Sequence, residues 1–473
     1  MSKRAITIQY LIFDYITSSI AWFLFFIFRK HVIEEEPVID YAIILEDSHF
    51  WYGTLILPIL WIALYTINGF YFKVYHKSRL AEFIQTFWIC LLGTLIIFFV
   101  LLIDDKIPGG YKMYYKSISA LFLLQFLLNY IPKFVITSST AHKIHRRKIG
   151  FNTLLIGQGD KAISLHQELS SAPRSAGYQF KGYLTLDGIH NSDPFVGKLK
   201  HLGNIDTIKV AIEQLGIEEI ILALEDAEIE KVNELISILQ EFDVGIRMKA
   251  EMHNILKGQV KMNSIFHAAL IEINFDSIPS WQKFAKRLFD IVVSITVLTL
   301  LSPLYSFVAA GVKFSSKGPI FFRQERIGKN GKKFNIIKFR SMYCDSEISG
   351  PQLSSKNDKR ITSFGEFIRK YRLDEIPQFF NVLKGEMSIV GPRPERQYFI
   401  DKICEQAPQY KFLYKIKPGI TSWGQVKYGY AENVDEMIDR LNFDLIYLEN
   451  RSLLVDIKIM IYTVLVIVQG KGK

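Results

Sequence analysis

Four long apolar segments in the first third of this 473-residue chain constrain its fold more than any other feature. They lie at about residues 9–28, 50–71, 83–103 and 113–137, and each approaches the roughly 20 residues that a helix needs to cross a bilayer. One such run alone is also compatible with a buried core helix, but four with consistent flanking charges indicate membrane spans. We therefore predict a four-helix transmembrane domain over residues 1–140.

The charges around these segments predict their orientation. Basic residues precede the first segment, lie between the second and third, and follow the fourth, where residues 142–148 read HKIHRRK. The connection between the first and second segments is instead rich in acids from Glu34 to Asp47. Because basic loops stay on the cytoplasmic side, the N-terminus and everything after about residue 140 are predicted to face the cytoplasm.

Composition narrows the class of partner. The net charge of +10 suits an anionic partner, such as nucleic acid, an acidic membrane surface or a phosphate-bearing substrate. The three cysteines have no metal-like spacing, which indicates reduced, cytosol-facing chemistry. The first apolar run is about as long as a membrane span and lacks a small-residue cleavage site, so we expect no cleavable signal peptide.

Short apolar runs alternate with amphipathic stretches from about residue 151 to residue 275. This alternation is typical of βαβ units, and we predict a Rossmann-like cytosolic module over residues 141–275. A possible nucleotide turn, G-x-G-x-x-A at Gly157 and Gly159, follows the first predicted strand, and Asp187 follows the second, where a ribose-binding acid would lie. A glycine turn alone is weak evidence, so a scaffold or regulatory module is the alternative.

A fifth apolar run, residues 291–314, is long enough to cross the bilayer but is basic at both ends. Its flanking cations are Lys283, Lys286, Arg287, Lys313, Lys317, Arg323 and Arg326. Positive charge at both ends places both ends in the cytoplasm, and Ser302-Pro303 lies midway, where proline kinks a helix. We predict a re-entrant membrane helix over about residues 283–314. The alternative is a fifth span, which would export everything that follows it.

Two adjacent acids, Asp374 and Glu375, precede a helix-like run that ends at Gly385. Asp374 is predicted to be the N-cap of this helix, with Pro377 in its first turn. A helix N-terminus favours an ionised carboxylate and also a phosphate. The pair is therefore a candidate nucleophile and magnesium ligand, with a solvated surface pair as the alternative. Neighbouring helical positions diverge by about 100°, so the two acids should take different roles.

Cations lie on both sides of the acidic pair in sequence. An Asn330-Gly331 turn between apolar runs predicts a hairpin, and Lys338 and Arg340 would then share one face of its second strand. Two such cations can clamp a diphosphate, although a solvated basic edge strand is the alternative. Arg360, Arg369 and Arg393 are further candidate phosphate contacts. Since Mg²⁺ prefers one or two carboxylates plus phosphate oxygens, one acid is predicted to hold Mg²⁺ and the other to attack phosphorus.

Six motifs follow one another in the last 190 or so residues. They are KRxxD at Lys286, GPxFFRQxRxG at Gly318, KFRSM at Lys338, LDEIPQ at Leu373, GPRPE at Gly391 and KPGITSWGQV at Lys417. Together they resemble the bacterial sugar transferase family, the polyprenyl-phosphate hexose-1-phosphate transferases. The resemblance covers about residues 281–473, and the preceding spans and module are similar to the long form, typified by undecaprenyl-phosphate glucose phosphotransferases.

The resemblance implies a reaction. A hexose-1-phosphate passes from a UDP-sugar, with UDP-glucose favoured, to undecaprenyl phosphate, and UMP is released, which initiates exopolysaccharide or capsule synthesis. It implies that Asp374 is the nucleophile, forming a covalent aspartyl-phosphosugar, and that Glu375 helps to hold Mg²⁺. It implies phosphate binding by Lys338 and Arg393, and Arg369 also fits the pattern. The chain departs from the family where Arg372 replaces a usual serine and where Ser422-Trp423-Gly424 replaces a usual Gly-Trp-Ala.

The predicted fold is an α-helical membrane domain, a Rossmann-like α/β module and an α/β membrane-associated catalytic domain with a re-entrant helix. The last covers residues 276–473, and residues 453–468 are predicted to be an interfacial helix or, equally, a core helix. The predicted substrate contacts are Lys338, Arg340, Arg360, Arg369, Gln378 and Arg393.

The predicted location is the bacterial inner membrane, with several spans and the catalytic domain facing the cytoplasm. The predicted partners are UDP-sugar, undecaprenyl phosphate, membrane lipids and, as an option, a second copy of the chain, with no nucleic acid. Two other functions stay open: a glycosyltransferase that releases UDP, and a membrane-anchored nucleotide-binding scaffold or sensor.

Overall fold

Three structural parts follow one another along the chain: a helical bundle, an α/β module and a third, mixed unit. The third part corresponds to the predicted catalytic domain and is called the catalytic unit below. The computed structural model describes residues 3–33, 45–72, 74–102, 111–186, 195, 198–225, 232–239, 242, 244–249, 270–273, 278–344, 350, 352, 358–429 and 431–469.

The bundle consists of four long helices, in agreement with the prediction from the apolar segments. They are α1 (Lys3–Phe28), α2 (Ser48–Ile67), α3 (Arg79–Ile97) and α4 (Tyr111–His145), and π-helical turns extend α1 to Ile33 and α3 to Leu102. In the described part of the chain, these four are long and apolar enough to cross a membrane individually. The chain is therefore a membrane protein.

Charged side chains inside the bundle occur as pairs. The Lys133 ammonium on α4 lies 2.9 Å from the Asp14 carboxylate on α1, and both side chains are 1% exposed. The Tyr71 hydroxyl donates to the same carboxylate at 2.7 Å. Since an unpaired charge is expensive in a bilayer, this pairing explains how α1 and α4 tolerate ionisable residues on their buried faces.

The α/β module is built on one sheet with the strand order β3-β2-β1-β4-β5-β6. Its strands are β1 (Phe151–Ile156), β2 (Tyr178–Thr185), β3 (His201–Asn204), β4 (Glu219–Leu222), β5 (Gly245–Lys249) and β6 (Leu270–Ile273). The first five pair in parallel and β6 is antiparallel to β5. Helices α5 (Asp160–Ser171), α6 (Ile208–Leu215) and α7 (Val232–Leu239) connect the strands. The predicted βαβ alternation is therefore confirmed.

The catalytic unit begins with two helices, α8 (Ser280–Leu300) and α9 (Ser302–Ser315), which meet at an angle of 65°. The break lies at Leu301, directly before Ser302-Pro303, close to the position predicted from the proline. A hairpin follows, made of β7 (Phe321–Ile327) and β8 (Lys333–Phe339), and Asn330 in its turn adopts a left-handed conformation. The Asn-Gly signal therefore predicted this hairpin correctly.

The rest of the unit is mainly helical. Its elements are α10 (Ser363–Lys370), a 3₁₀ turn (Leu373–Glu375), α11 (Gln378–Lys384), β9 (Ser388–Val390), α12 (Gln397–Gln406), a 3₁₀ segment (Pro408–Lys415), β10 (Gly419–Thr421), α13 (Trp423–Lys427), α14 (Val434–Glu449) and α15 (Leu453–Val468). Strands β9 and β10 pair in parallel. They place the GPRPE motif, which follows β9, beside the segment that follows β10.

The KRxxD motif attaches α8 to this unit. Lys286 Nζ lies 2.6 Å from the Asp456 carboxylate of α15, and Arg287 donates to the carbonyls of Val382 and Leu383 at the end of α11. Asp290 accepts the Ile389 N–H of β9 at 3.1 Å. Helix α8 is thereby fixed behind the helix that follows the acidic pair.

Candidate active site

Asp374 and Glu375 lie in a 3₁₀ turn between α10 and α11. Arg372 precedes the turn in a left-handed conformation with φ of 55°, which few residues other than glycine adopt. The prediction that Asp374 caps α11 is wrong, because α11 begins at Gln378 and Pro377 takes the cap position. The predicted end is confirmed: Gly385 closes α11 with φ of 86°. The left-handed Arg372 redirects the chain so that both acids face inwards, and both are buried.

Three cations surround the Glu375 carboxylate. Lys338 Nζ lies 2.7 Å from Oε1, Arg393 Nη1 lies 3.8 Å from Oε1, and Arg372 Nη1 lies 3.6 Å from Oε2. Burial alone would raise the pKa of Glu375, but Lys338, Arg372 and Arg393 outweigh it and hold the pKa below its usual range. Glu375 is therefore ionised throughout the neutral range.

Asp374 has a different setting. Among the described residues, its side chain takes part in no hydrogen bond or ion pair closer than 4 Å. Burial and the neighbouring Glu375 carboxylate raise the pKa of Asp374, against the opposite effect of Lys338, Arg369 and Arg372. Two adjacent acids thus differ in kind: Glu375 is held by cations, and the Asp374 carboxylate is left available for another partner.

Asn381 fixes the position of Lys338 relative to the acids. The Asn381 amide donates to the Asn335 carbonyl at 2.8 Å and accepts the Ile337 N–H at 3.1 Å, so that α11 is hydrogen-bonded to the edge of β8. Lys338 is the next residue on that strand. Burial lowers the pKa of Lys338, although Glu375 beside it acts in the opposite direction. The sequence offered no local signal for the role of Asn381.

A second buried carboxylate, Glu395, extends the charge network. Arg393 Nε lies 3.7 Å from Glu395 Oε1, and Arg440 Nη2 lies 2.7 Å from the same oxygen. Arg326 Nη1 lies 3.3 Å from Glu395 Oε2. Sequence reasoning missed Arg326 and Arg440 as members of this network. Arg326 is the second arginine of the GPxFFRQxRxG motif and could have been found there, whereas Arg440 lies in α14 with no distinguishing pattern.

Arg340 does not join Lys338 at the site, which corrects the predicted two-cation clamp. Strand β8 ends at Phe339, so the alternation of side chains on which the prediction relied stops one residue earlier. Arg340 is 6% exposed, and its guanidinium donates to the carbonyls of Ser316 and Lys317 just after α9, at 2.7 and 3.0 Å. Arg340 therefore caps the end of α9.

The remaining predicted contacts are two arginines beside Asp358 and one buried glutamine in α11. Arg360 forms an ion pair with Asp358 at 2.6 Å, and its hydrogen bonds lower the pKa of Asp358 to about 2. Arg369 acts electrostatically on both Asp358 and Asp374, which places Arg369 between this pair and the site. Gln378 is buried, and its Nε2 has no hydrogen-bond partner in the described structure. That amide is a free donor one helical turn beyond the acids.

The acidic residues of the site fit a magnesium ion that takes few protein ligands. No group of three or more His, Cys, Asp or Glu side chains that could hold a metal occurs among the described residues. Mg²⁺ does not need one, since it binds through one or two carboxylates and completes its shell with water and substrate phosphate oxygens. Glu375 is the carboxylate of the turn that would hold the ion, which leaves Asp374 for a different role.

The glycine turn of the α/β module lies between β1 and α5, as predicted. Gly157 has φ of +136°, and Gly159 is the N-cap residue of α5. The Glu225 carboxylate occupies this turn, where its Oε1 accepts the Lys161 N–H at 2.8 Å. Asp187, the predicted ribose-binding acid, lies outside the described residues.

Comparisons with known proteins bear on the family. A family model for bacterial sugar transferases matches residues 281–470, and one for a CoA-binding domain matches residues 66–250. The UDP-glucose:undecaprenyl-phosphate glucose-1-phosphate transferase of Klebsiella pneumoniae is 33% identical over 335 residues, 67% of this chain and 68% of that protein. The chain belongs to the bacterial sugar transferase family. Because an apolar helical bundle and an α/β module precede the catalytic unit, this sugar transferase has the long form, as predicted from the four apolar segments and the βαβ alternation.

Two further relatives carry different sugars in their names. The UDP-N-acetylgalactosamine-undecaprenyl-phosphate N-acetylgalactosaminephosphotransferase of Aeromonas hydrophila is 40% identical over 218 residues, 46% of this chain and 51% of that protein. The UDP-glucose:undecaprenyl-phosphate glucose-1-phosphate transferase of Escherichia coli K12 is 36% identical over 259 residues, 51% of this chain and 56% of that protein. The sugar transferase thus spans about half the length of these two relatives.

Proposed function

We propose that this sugar transferase moves a hexose-1-phosphate from a UDP-sugar to undecaprenyl phosphate and releases UMP. One observation carries the proposal: two adjacent buried acids have opposite electrostatic settings, Glu375 paired with three cations and Asp374 paired with none of the described residues. A carboxylate that is buried, close to cations and not consumed by them can act as a nucleophile towards phosphorus. The names of the relatives support the substrates.

In the first step, an Asp374 carboxylate oxygen attacks the phosphorus that carries the sugar. A bond forms between that oxygen and phosphorus, and the bond from phosphorus to the bridging oxygen of the diphosphate breaks. UMP leaves with the bridging oxygen and its electron pair, and an aspartyl-phosphosugar remains on the enzyme. The aspartyl-phosphosugar is an acyl phosphate, and its phosphorus remains reactive towards a second nucleophile.

In the second step, a phosphate oxygen of undecaprenyl phosphate attacks the same phosphorus. The bond from phosphorus to the Asp374 oxygen breaks, which regenerates the carboxylate and gives undecaprenyl diphosphate sugar. Lys338 and Arg393 bind phosphate oxygens during both steps, and Arg369 adds positive charge on the Asp374 side. When bound at Glu375, Mg²⁺ would neutralise negative charge on the diphosphate.

We further propose that α8 and α9 enter one leaflet of the bilayer and return. Apolar side chains on both helices are exposed, among them Leu288, Val292 and Phe307, and cations lie in the first turns of α8 and at the end of α9. This arrangement keeps the catalytic unit on the cytoplasmic side of a bacterial inner membrane, where UDP-sugars are available. Single cysteines at Lys283 and Lys317 should both react with an impermeant thiol reagent only from the cytoplasmic side. Labelling of Lys317→Cys from the opposite side would indicate a fifth span.

Product analysis tests the proposed reaction directly. Purified enzyme with Mg²⁺, undecaprenyl phosphate and a panel of UDP-sugars should release UMP, and chelation of Mg²⁺ should stop the release. Release of UDP would support a glycosyltransferase instead. The relatives name glucose and N-acetylgalactosamine, and we propose UDP-glucose as the preferred donor and initiation of exopolysaccharide or capsule synthesis as the role. A preference for another sugar in the panel would change only the donor assignment.

A binding scaffold or sensor is the weaker alternative. Such a protein has no need of a buried network in which Lys338, Glu375, Arg393, Glu395 and Arg440 alternate in charge. Burying these groups is expensive, and a reaction that transfers charged phosphoryl groups gives a reason for it. A chain that bound UDP-sugar without turnover in the product assay would favour the scaffold.

A further inference from the structure

The glycine turn of the α/β module is filled by a carboxylate from the chain itself. Glu225 lies just beyond β4, and its Oε1 accepts the Lys161 N–H in the first turn of α5 at 2.8 Å. A Cβ atom at position 159 would lie 2.3 Å from the same oxygen, so the carboxylate packs directly against the Gly159 backbone. The first turn of α5 therefore already holds an anion.

The position of Glu225 is the one at which open α/β sheets bind ligands. Strands β1 and β4 are neighbours, and the strand order reverses between them. Ligands of such sheets bind at the carboxyl ends of the strands at this point, with phosphate at the N-terminus of the helix. Glu225 starts from the carboxyl end of β4 and reaches the helix that follows β1. It thus crosses the crevice that a dinucleotide phosphate would occupy.

Both glycines of the turn have explanations that involve no nucleotide. A Cβ atom at Gly157 would lie 2.1 Å from the Ala223 carbonyl oxygen, and its φ of +136° lies in the left-handed region that favours glycine. Gly159 admits the Glu225 carboxylate. The G-x-G pattern is therefore a consequence of close packing between the turn and β4. A match to a CoA-binding domain reflects this shared fold and does not by itself require CoA.

We propose that Glu225 is an internal substitute for the phosphate of a CoA-type or dinucleotide ligand, and that the module binds no such ligand. The Glu225 carboxylate satisfies the donor that a phosphate would use, and it repels a second anion from the same helix end. The residues of the turn therefore do not fit CoA. The module acts instead as a structural link, here called the bracket, which contacts both the membrane bundle and the catalytic unit.

Contacts on two sides of the module support the bracket. On the membrane side, Lys3 Nζ at the start of α1 lies 2.8 Å from Glu218 Oε1, and the rings of Tyr75 and Phe151 meet edge to face at 5.8 Å. On the catalytic side, Phe412 of the 3₁₀ segment packs against buried residues of both the module and the catalytic unit. A module whose contacts serve both neighbours has a structural role without any ligand.

Hydrogen exchange of the full-length protein in nanodiscs tests the proposal. We expect the first-turn amides of α5 to be protected in the wild type, and neither CoA nor inorganic phosphate should change their exchange. In Glu225→Ala these amides should exchange about tenfold faster or more, because a charge-assisted hydrogen bond is lost. Inorganic phosphate should then slow the exchange again by filling the vacated position. Glu168→Ala, on the same helix but far from the turn, is the control and should behave like the wild type.

Three results would each overturn the proposal. CoA that slows exchange of these amides in the wild type would mean that the turn is open to ligand. Unchanged exchange in Glu225→Ala would mean that the carboxylate does not hold the turn. Faster exchange that phosphate fails to reverse would mean that the first turn of α5 does not bind an anion. If Glu225→Ala does not fold, Glu225→Gln is measured in its place. The CoA measurement on the wild type needs no variant and tests the proposal independently.

Discussion

Asp374→Asn should reduce sugar-phosphate transfer by at least about 1,000-fold, because an amide oxygen is far too weak a nucleophile to replace the carboxylate. Its stability should not fall. The raised pKa of Asp374 means that the folded protein disfavours the ionised acid, so this charge opposes folding at any pH above that pKa. A neutral residue of the same size removes this penalty. We therefore expect the unfolding midpoint at neutral pH to equal or slightly exceed that of the wild type.

Transfer assays and thermal unfolding on the same preparation check both parts. Asp439→Asn is a matched control, since Asp439 is an exposed residue on α14, and its activity and midpoint should match the wild type. An Asp374→Asn enzyme with wild-type turnover would exclude Asp374 as the nucleophile. A large drop in its midpoint would instead mean that the carboxylate has a structural partner.

Glu375→Gln should behave differently, although the two residues are adjacent. The low pKa of Glu375 means that its ionised form stabilises the fold above its unfolded pKa, and this stabilisation is lost as the pH falls. At neutral pH the substitution leaves Lys338, Arg372 and Arg393 without their shared anion. Breaking a buried pair in this way costs about 3–5 kcal/mol, roughly 6–20 °C in the unfolding midpoint of a unit of this size. Transfer should also fall sharply, because the phosphate-binding cations lose their positions.

Glu366→Gln is the control for this substitution, since Glu366 is an exposed glutamate on α10. Differential scanning calorimetry at neutral pH should separate the two variants clearly. A Glu375→Gln midpoint within about one degree of the wild type would contradict the three-cation network. Equal effects of Asp374→Asn and Glu375→Gln on stability would contradict the division of roles between the acids.

Local sequence signals predicted much of this architecture. The four spans, the parallel βαβ alternation, the hairpin at Asn330-Gly331 and the helix break at Pro303 each depend on residues close together in the chain. Gly385 likewise ended α11 as expected. Such features follow from hydrophobic periodicity and from the backbone preferences of glycine, proline and asparagine. These features can therefore be predicted from a single sequence.

Long-range contacts account for what the sequence did not predict. Arg340 was expected at the site but binds carbonyls that follow α9, more than twenty residues earlier in the chain. Arg440 pairs with Glu395, and Glu225 reaches the turn at Lys161, across separations of 45 and 64 residues. Asp374 lost its predicted cap position because Arg372 adopts a left-handed backbone conformation. No local pattern encodes these partners, since tertiary packing selects them.

The most direct measurement is mass spectrometry of the enzyme after incubation with UDP-glucose and Mg²⁺ in the absence of undecaprenyl phosphate. The proposed mechanism predicts stoichiometric release of UMP and a hexose-phosphate adduct on the peptide that contains Asp374. Addition of undecaprenyl phosphate should discharge the adduct into the lipid product. Release of UMP only after undecaprenyl phosphate is added, or an adduct on any other residue, would contradict the mechanism.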